Sequence, residues 1–209
     1  YIYSFASQAS ETGIPIMRAM ALEFPEDPHI WNEMCENQYC FGTELLVAPV
    51  HYSFSRTRPV YLPVGKWRDF WTGTLFNGGN ESSCRAEINH IPVFARAGAI
   101  IPMVDPSPLV IEKTNNKQIQ SISENLKIFI YPGQDGFFNL YDGTMFNWNE
   151  ETQELEITDS PSNRFVSVRI MDENEGHKFK VVRNDKQVET DLTNLDGESN
   201  FTRALISRD

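Results

Sequence analysis

The apolar positions of this chain change their rhythm along its length. Ile2, Phe5 and Ala9 recur at the spacing of one helical face, so residues 1–11 are predicted to form a helix, with Gly13 at its C-cap. Residues 14–22 are apolar at successive positions, interrupted after Pro15 only by Arg18. Such a run predicts a strand buried on both faces, as in a parallel sheet or barrel covered by helices. A helix, a glycine turn and a doubly buried strand make an α-to-β passage. One helix and one strand form no stable sheet, so this stretch reads as the tail of a larger domain or a piece docked on another chain. Residues 23–28 hold two Pro and read as a loop. Residues 29–39 are predicted to be helical, capped by Asp27, with Pro28 in the first position and Ile30, Met34 and Gln38 on one face.

From Leu45 onward short apolar or alternating runs follow one another, separated by turn residues. Strands are expected at 45–50, 57–62, 67–71, 86–88, 93–95 and 99–102. The stretch Asp105-Pro106-Ser107-Pro108 is the clearest linker. Beyond it a second β module is predicted. Strand 126–131 is expected to pair with 137–141 across the loop Gly133-Gln134-Asp135-Gly136. Leu155 with Ile157, and Val166, Val168 with Ile170, alternate with polar neighbours and read as half-buried strands. Residues 179–182 give another strand, and the polar, acidic stretch beyond Asn184 is expected to be poorly ordered.

Charge and cysteine usage narrow the partners. A net charge of -11 argues against nucleic acid and against anionic membrane surfaces, both of which need clustered Lys and Arg. No apolar run reaches the ~20 residues of a membrane helix. Cys35, Cys40 and Cys84 have neither disulfide nor CxxC spacing and read as reduced thiols, so a cytoplasmic location is expected. The first residue is Tyr1, so a targeting signal further upstream is not excluded. The sequons at Asn80 and Asn200 carry little weight without secretion.

Candidate chemistry is sparse. Arg18, a charge inside an apolar run, must be paired. It is the single candidate substrate-binding residue, at the mouth of a barrel; an ion pair with Glu23 or an upstream acid is the preferred reading. Glu23, Glu26, Asp27, Asp135 and Asp142 are carboxylates in turn-like contexts, where Asp and Glu are expected for structural reasons. His29, His51, His90 and His177 have no metal spacing. No metal site, cofactor or catalytic residue is predicted. Tyr61, Trp67, Phe70 and Trp71 form an aromatic group, read either as a sugar-stacking platform or, preferably, as strand core.

The blocks GIPIMRAMALEFPEDP, QYCFGTELLVAPV, VYLPVGKWRDFWTG and IPVFARAGAIIPM together resemble the C-terminal part of glycoside hydrolase family 31, which includes α-glucosidases and α-xylosidases. IFIYPGQDGFFNLYDGT resembles the family's distal β domain, with a shortened acidic turn at Tyr141-Asp142-Gly143-Thr144. The resemblance implies a mainly β chain in three parts. Residues 1–44 would be the end of a (β/α)8 catalytic barrel, with 1–11 its last-but-one helix and 14–22 its eighth strand. Residues 45–105 would be a proximal β-sandwich and 106–209 a distal one. It implies retaining hydrolysis of α-glucosidic or α-xylosidic bonds by an Asp nucleophile and an Asp acid/base. In the family those motifs precede the helix that residues 1–11 resemble, so no catalytic residue carries over and the chain alone is expected to be inactive. The implied partners are an α-linked oligosaccharide and an N-terminal catalytic portion, with self-association through the exposed barrel remnant. The alternative is a non-catalytic carbohydrate-binding or assembly module.

Overall fold

A computed structural model describes residues 1–104, 125–158, 165–172, 179–184, 186–188, 191–192 and 202–206. The chain is mainly β. It opens with helix α1 (Ile2–Thr12), closed by Gly13 at φ 76°, whose N–H donates to Ala9 O. Strand β1 (Met17–Arg18) and helical turn α2 (Met20–Glu23) follow. Then come two 3-10 turns, Pro28–Trp31 and Glu33–Asn37, and β2 (Tyr39–Phe41), β3 (Leu45–Val47), β4 (Thr57–Leu62) and β5 (Lys66–Asp69). β6 (Leu75–Asn77), β7 (Asn80–Arg85), β8 (Val93–Arg96) and β9 (Ile100–Val104) end the first half.

The second half holds β10 (Asn125–Ile130), β11 (Gly136–Asn139), β12 (Met145–Asn149), β13 (Glu154–Thr158) and β14 (Phe165–Ile170). β15 (Lys180–Arg183), β16 (Lys186–Val188), β17 (Asp191–Leu192) and β18 (Thr202–Ile206) complete it. Among the described residues the strands form a six-stranded sheet β1-β2-β3-β8-β5-β6, the ribbon β4-β7, and two five-stranded sheets, β17-β18-β14-β10-β9 and β11-β12-β13-β15-β16.

Each sheet has a buried partner. Leu46 and Phe94 of the six-stranded sheet meet Val60 and Leu62 of the ribbon in one core. Ile128, Val168, Trp148 and Leu155 bring both five-stranded sheets into a second core, which Phe5 of α1 also enters. A third cluster, including Leu45, Ile101, Tyr131 and Met171, joins the halves. The sheet of β9 and β10 spans the Pro-rich stretch 105–108, which itself lies outside the described residues.

At the junction Arg68 is the main fixing point. Its side chain is 8% exposed. Nε donates to Pro132 O at 2.7 Å, and Nη1 donates to Gly73 O at 2.9 Å and to Asp172 Oδ1 at 3.0 Å. Beside it Tyr131 Oη donates to Phe70 O at 3.0 Å. A few residues away the backbones of Gly98 and Gly136 cross. A Cβ on Gly136 would stand 1.9 Å from Gly98 O, and one on Gly98 2.3 Å from Asp135 O, so neither position takes a side chain without moving backbone.

Several expected elements differ. Residues 14–22 are not a doubly buried strand. Only Met17 and Arg18 pair, antiparallel with Phe41 and Cys40, and α2 then turns the chain away. A strand buried on both faces needs neighbours on both edges; here β1 is an edge strand, and Ile14, Met17 and Leu22 are exposed. Within 1–11, Phe5 is buried but Ile2 is exposed. Residues 29–39 split into two 3-10 turns because Asn32 is extended (φ -74°, ψ 148°), although Asp27 caps the first turn through His29 N–H at 3.0 Å.

β11 does not pair back onto β10. The loop 131–136 crosses between sheets, and β11 pairs with β12 while β10 lies between β9 and β14. Residues 86–88 leave the ladder that ends at Arg85, and Ile88 is exposed. β14 is interior to its sheet, so Ser167 is buried as well as Val166 and Val168. Beyond Asn184, β18 pairs with β14 from Val166↔Ile206 to Ile170↔Thr202.

Removing one member of the Arg68–Asp172 pair leaves a buried charge uncompensated, which costs about 3–5 kcal/mol. Arg68→Ala is therefore expected to lose that much in urea unfolding. The double variant Arg68→Met, Asp172→Leu is expected to recover most of it.

Candidate functional site

Arg18 is only 4% exposed and faces inward. Nε donates to Pro15 O at 2.9 Å, Nη1 to Glu23 Oε1 at 2.5 Å and Nη2 to Gln8 Oε1 at 3.2 Å. The guanidinium carbon lies 5.4 Å from the Phe5 ring centre. The turn of α2 brings Glu23 back to meet Arg18 five residues later, so the ion pair proposed from the sequence is present. The other oxygen of Glu23, Oε2, is 4.0 Å from Nη2 of Arg96, whose guanidinium lies over Phe24 (5.1 Å) and Trp67 (5.8 Å). One carboxylate thus stands between two guanidinium groups, one on the segment after α1 and one on β8 in the six-stranded sheet. The arrangement ties the N-terminal segment to the sheet through partly desolvated charge.

Glu44 adjoins this group. Burial pushes its carboxyl above the usual carboxylate range. A hydrogen bond from the Thr43 hydroxyl and the charge of Arg96 offset part of the rise, while Glu23 adds to it. Its backbone N–H donates to Tyr1 Oη at 3.3 Å, and that hydroxyl donates to Phe41 O at 2.6 Å. Tyr1 also stacks on Phe138 with ring centres 5.7 Å apart, so the start of α1 is seated where both halves meet.

The other candidates separate. Tyr61 and Trp67 are buried, 3% and 2% exposed, while Phe70 is half-buried and Trp71 is 45% exposed. The four do not form a common platform. Trp67 Nε1 donates to Pro63 O, Trp71 Nε1 to Ile91 O, and the Tyr61 hydroxyl to Asp27 Oδ2 at 2.7 Å. Burial works against the Asp27 charge, but the hydrogen bonds from Tyr61 and His29 outweigh it and hold the carboxyl low. Asp135 accepts from Glu150 N–H at 2.8 Å and Asp142 from Thr144 N–H at 3.0 Å; Glu26 is exposed. Asp27, Asp135 and Asp142 thus hold backbone turns and a cap.

His29 stacks on Tyr61, His51 lies tilted against Tyr52, and His90 lies beside Trp71; His177 is outside the described residues. Among the described residues no group of three or more His, Cys, Asp or Glu could hold a metal ion. Cys35, Cys40 and Cys84 are free thiols in one core. Burial pushes Cys40 up to about 12 and Cys84 up to about 11, so both stay protonated at neutral pH and are poor nucleophiles. Arg96 and Glu44 were not singled out in the sequence. The signal was available, because each borders an apolar run as Arg18 does.

Residues 13–101 match the glycosyl hydrolase family 31 C-terminal domain. The chain carries a family 31 C-terminal domain. It is similar to an isomaltosyltransferase of Sporosarcina globispora, 39% identical over 151 residues, 72% of this chain and 13% of that protein. An α-glucosidase of Saccharolobus solfataricus is 36% identical over 132 residues, 61% of this chain and 18% of that protein. The crystal structure of a family 31 α-xylosidase from Xanthomonas citri superposes with TM-score 0.69 at 31% identity, over 82% of this chain and 20% of that one. This chain therefore matches at most about a fifth of the length of each of these proteins.

The position of Glu44 gives a pH prediction. Its carboxyl is raised in the fold, so the stability it contributes as a neutral acid is complete below the unfolded value of ~4.3 and is lost as pH rises through the folded value. Glu44→Gln is expected to melt above the parent chain at pH 7 and to converge with it below about pH 4. A melting-temperature profile against pH reads both limbs. A variant that melts lower than the parent at pH 7 contradicts this account.

Proposed function

We propose that this chain is the C-terminal portion of a retaining α-glycosidase acting on α-glucosidic or α-xylosidic bonds, and that it lacks the catalytic acids itself. Residues 1–44 close a (β/α)8 barrel, and 45–105 and 106–209 form the two β-sandwich modules that support it. The observation that carries the reading is the exposure of large apolar side chains along residues 2–31, a segment that adds only two residues to any strand ladder. Ile2, Tyr3, Ile14, Met17, Leu22 and Trp31 are 44% to 72% exposed, all within the part assigned to the barrel. Large apolar side chains gathered on one stretch mark a surface that another body covers. The match to a family 31 C-terminal domain, and to at most about a fifth of the length of the relatives, supports the same partner, an N-terminal catalytic portion.

On this reading Arg18 is a structural residue. With Glu23 and Arg96 it fixes the end of the barrel to the first sheet, and the carboxylate pair that retaining hydrolysis requires stands upstream. No specific observation favours the binding-module alternative through the aromatic group, two of whose members are core side chains. A cytoplasmic location agrees with three buried reduced thiols.

The test compares two proteins, this chain and its extended form encoded with the upstream region. The extended protein is expected to release p-nitrophenol from an α-glucoside or an α-xyloside with retention of configuration, and the isolated chain to show no activity. Turnover that co-purifies with the isolated chain, or an extended protein inert on both substrates, overturns the proposal. In sedimentation the isolated chain is expected to self-associate, and Leu22→Glu with Met17→Glu to shift it toward monomer.

A further inference from the structure

Beside the buried Phe5, helix α1 carries a polar stripe that runs from buried Ser4 through half-buried Ser7 to exposed Gln8 and Glu11. Ser4, Ser7, Gln8 and Glu11 recur at i, i+3, i+4 and i+7, and all four line one groove, while Ile2 and Tyr3 point to solvent. The groove has a volume of about 490 Å³. Thr43 and Glu44 form its end, and β11 with the following turn forms the opposite wall. That wall carries Phe137, 55% exposed, and Tyr141, 45% exposed. Phe5 and Phe138, both buried, also line it. The walls are fixed to one another, since Ser4 Oγ accepts from Tyr141 N–H at 3.3 Å and Tyr3 meets the Tyr141 ring edge-on at 4.4 Å.

The lining selects a ligand chemistry. Hydroxyl, carboxamide and carboxylate groups face exposed aromatic rings across a space in the size range of small-ligand sites. Aromatic surfaces suit the C–H faces of a pyranose, and the polar stripe suits its equatorial hydroxyls. Glu11 and Glu44 at the groove, in a chain of net charge -11, repel anions. We propose that this groove binds one or two neutral hexopyranose units of an α-linked oligosaccharide without cleaving them. The groove is argued from its own lining; only the choice of an α-linked sugar rests on the function proposed above.

The experiment follows backbone amide shifts of the 15N-labelled 209-residue chain during titration with isomaltotriose. An open-chain hexitol serves as the polyol control, and lysine methyl ester as the cation control. Saturable shifts on residues 4–11, 43–44 and 137–143 are expected, with a dissociation constant on the order of 1 mM. Phe137→Ala and, independently, Ser7→Trp are expected to weaken binding about tenfold or more with unchanged melting temperature. Glu11→Ala, at an exposed helix position, is a third variant should Ser7→Trp disturb the helix. The proposal is overturned by the absence of saturable shifts, by shifts elsewhere or insensitive to all three variants, or by equal response to hexitol or cation. Saccharide binding in the groove alongside an extended protein inert on α-glycosides removes only the catalytic reading. Catalysis without groove binding removes only the groove.

Discussion

The buried guanidinium of Arg68 is the interaction on which the architecture depends. It sits at the foot of β5 and reaches three oxygens, one in its own turn, one after β10 and one after β14. Burying such a charge is tolerable because Nε and Nη1 meet three acceptors, one of them a carboxylate. The same contacts fix the angle between the first sheet and the second pair of sheets. Around them, Tyr131 and Met171 fill the junction, and the aromatic ring and hydroxyl of Tyr1 close it from the helix side. The halves thus meet through satisfied polar groups set in apolar surroundings, a combination that specifies one relative orientation.

A second charge arrangement acts at the N-terminal edge. Glu23 takes Arg18 from its own segment and Arg96 from β8, and the two guanidinium groups rest on Phe5 and on Phe24 with Trp67. This keeps the segment after α1 against the sheet although it contributes only two residues to the ladder. The apolar residues left outside are the complement of this arrangement. The segment is anchored by charge and leaves Ile14, Met17 and Leu22 exposed.

Much of the β structure was legible because alternation reports burial directly. β4 lies where residues 57–62 placed it, and Leu155 and Ile157 are buried between less buried neighbours. The errors share a cause. A continuous apolar run says that its side chains are wanted away from water, not which chain covers them, so residues 14–22 read as a strand although Ile14, Met17 and Leu22 remain exposed. Pairing is equally hidden from local pattern. The run 137–141 follows 126–131 after a short glycine loop, yet the two belong to different sheets because the loop crosses between them. In the charged group, the Arg18–Glu23 pair could be read from proximity in sequence. Arg96 and Glu44 each border an apolar run, but their meeting is hidden from local pattern, since the register of β3 on β8 is what sets Arg96 beside Glu44.

The crossing of Gly98 and Gly136 bears on the order in which the chain acquires its structure. Two backbones in contact there belong to loops that must both be in place before either is fixed, and the Arg68–Asp172 contact spans 104 residues of sequence. Contacts of that separation require loop-closure entropy to be overcome before they return any stabilisation, which places this chain among slow-folding β topologies. During synthesis from the N-terminus, the turn after β5 emerges long before its partners on β10 and β14 exist. The first sheet and its ribbon therefore begin assembly with one side open, and their final geometry is set only when the segments after β10 and β14 arrive.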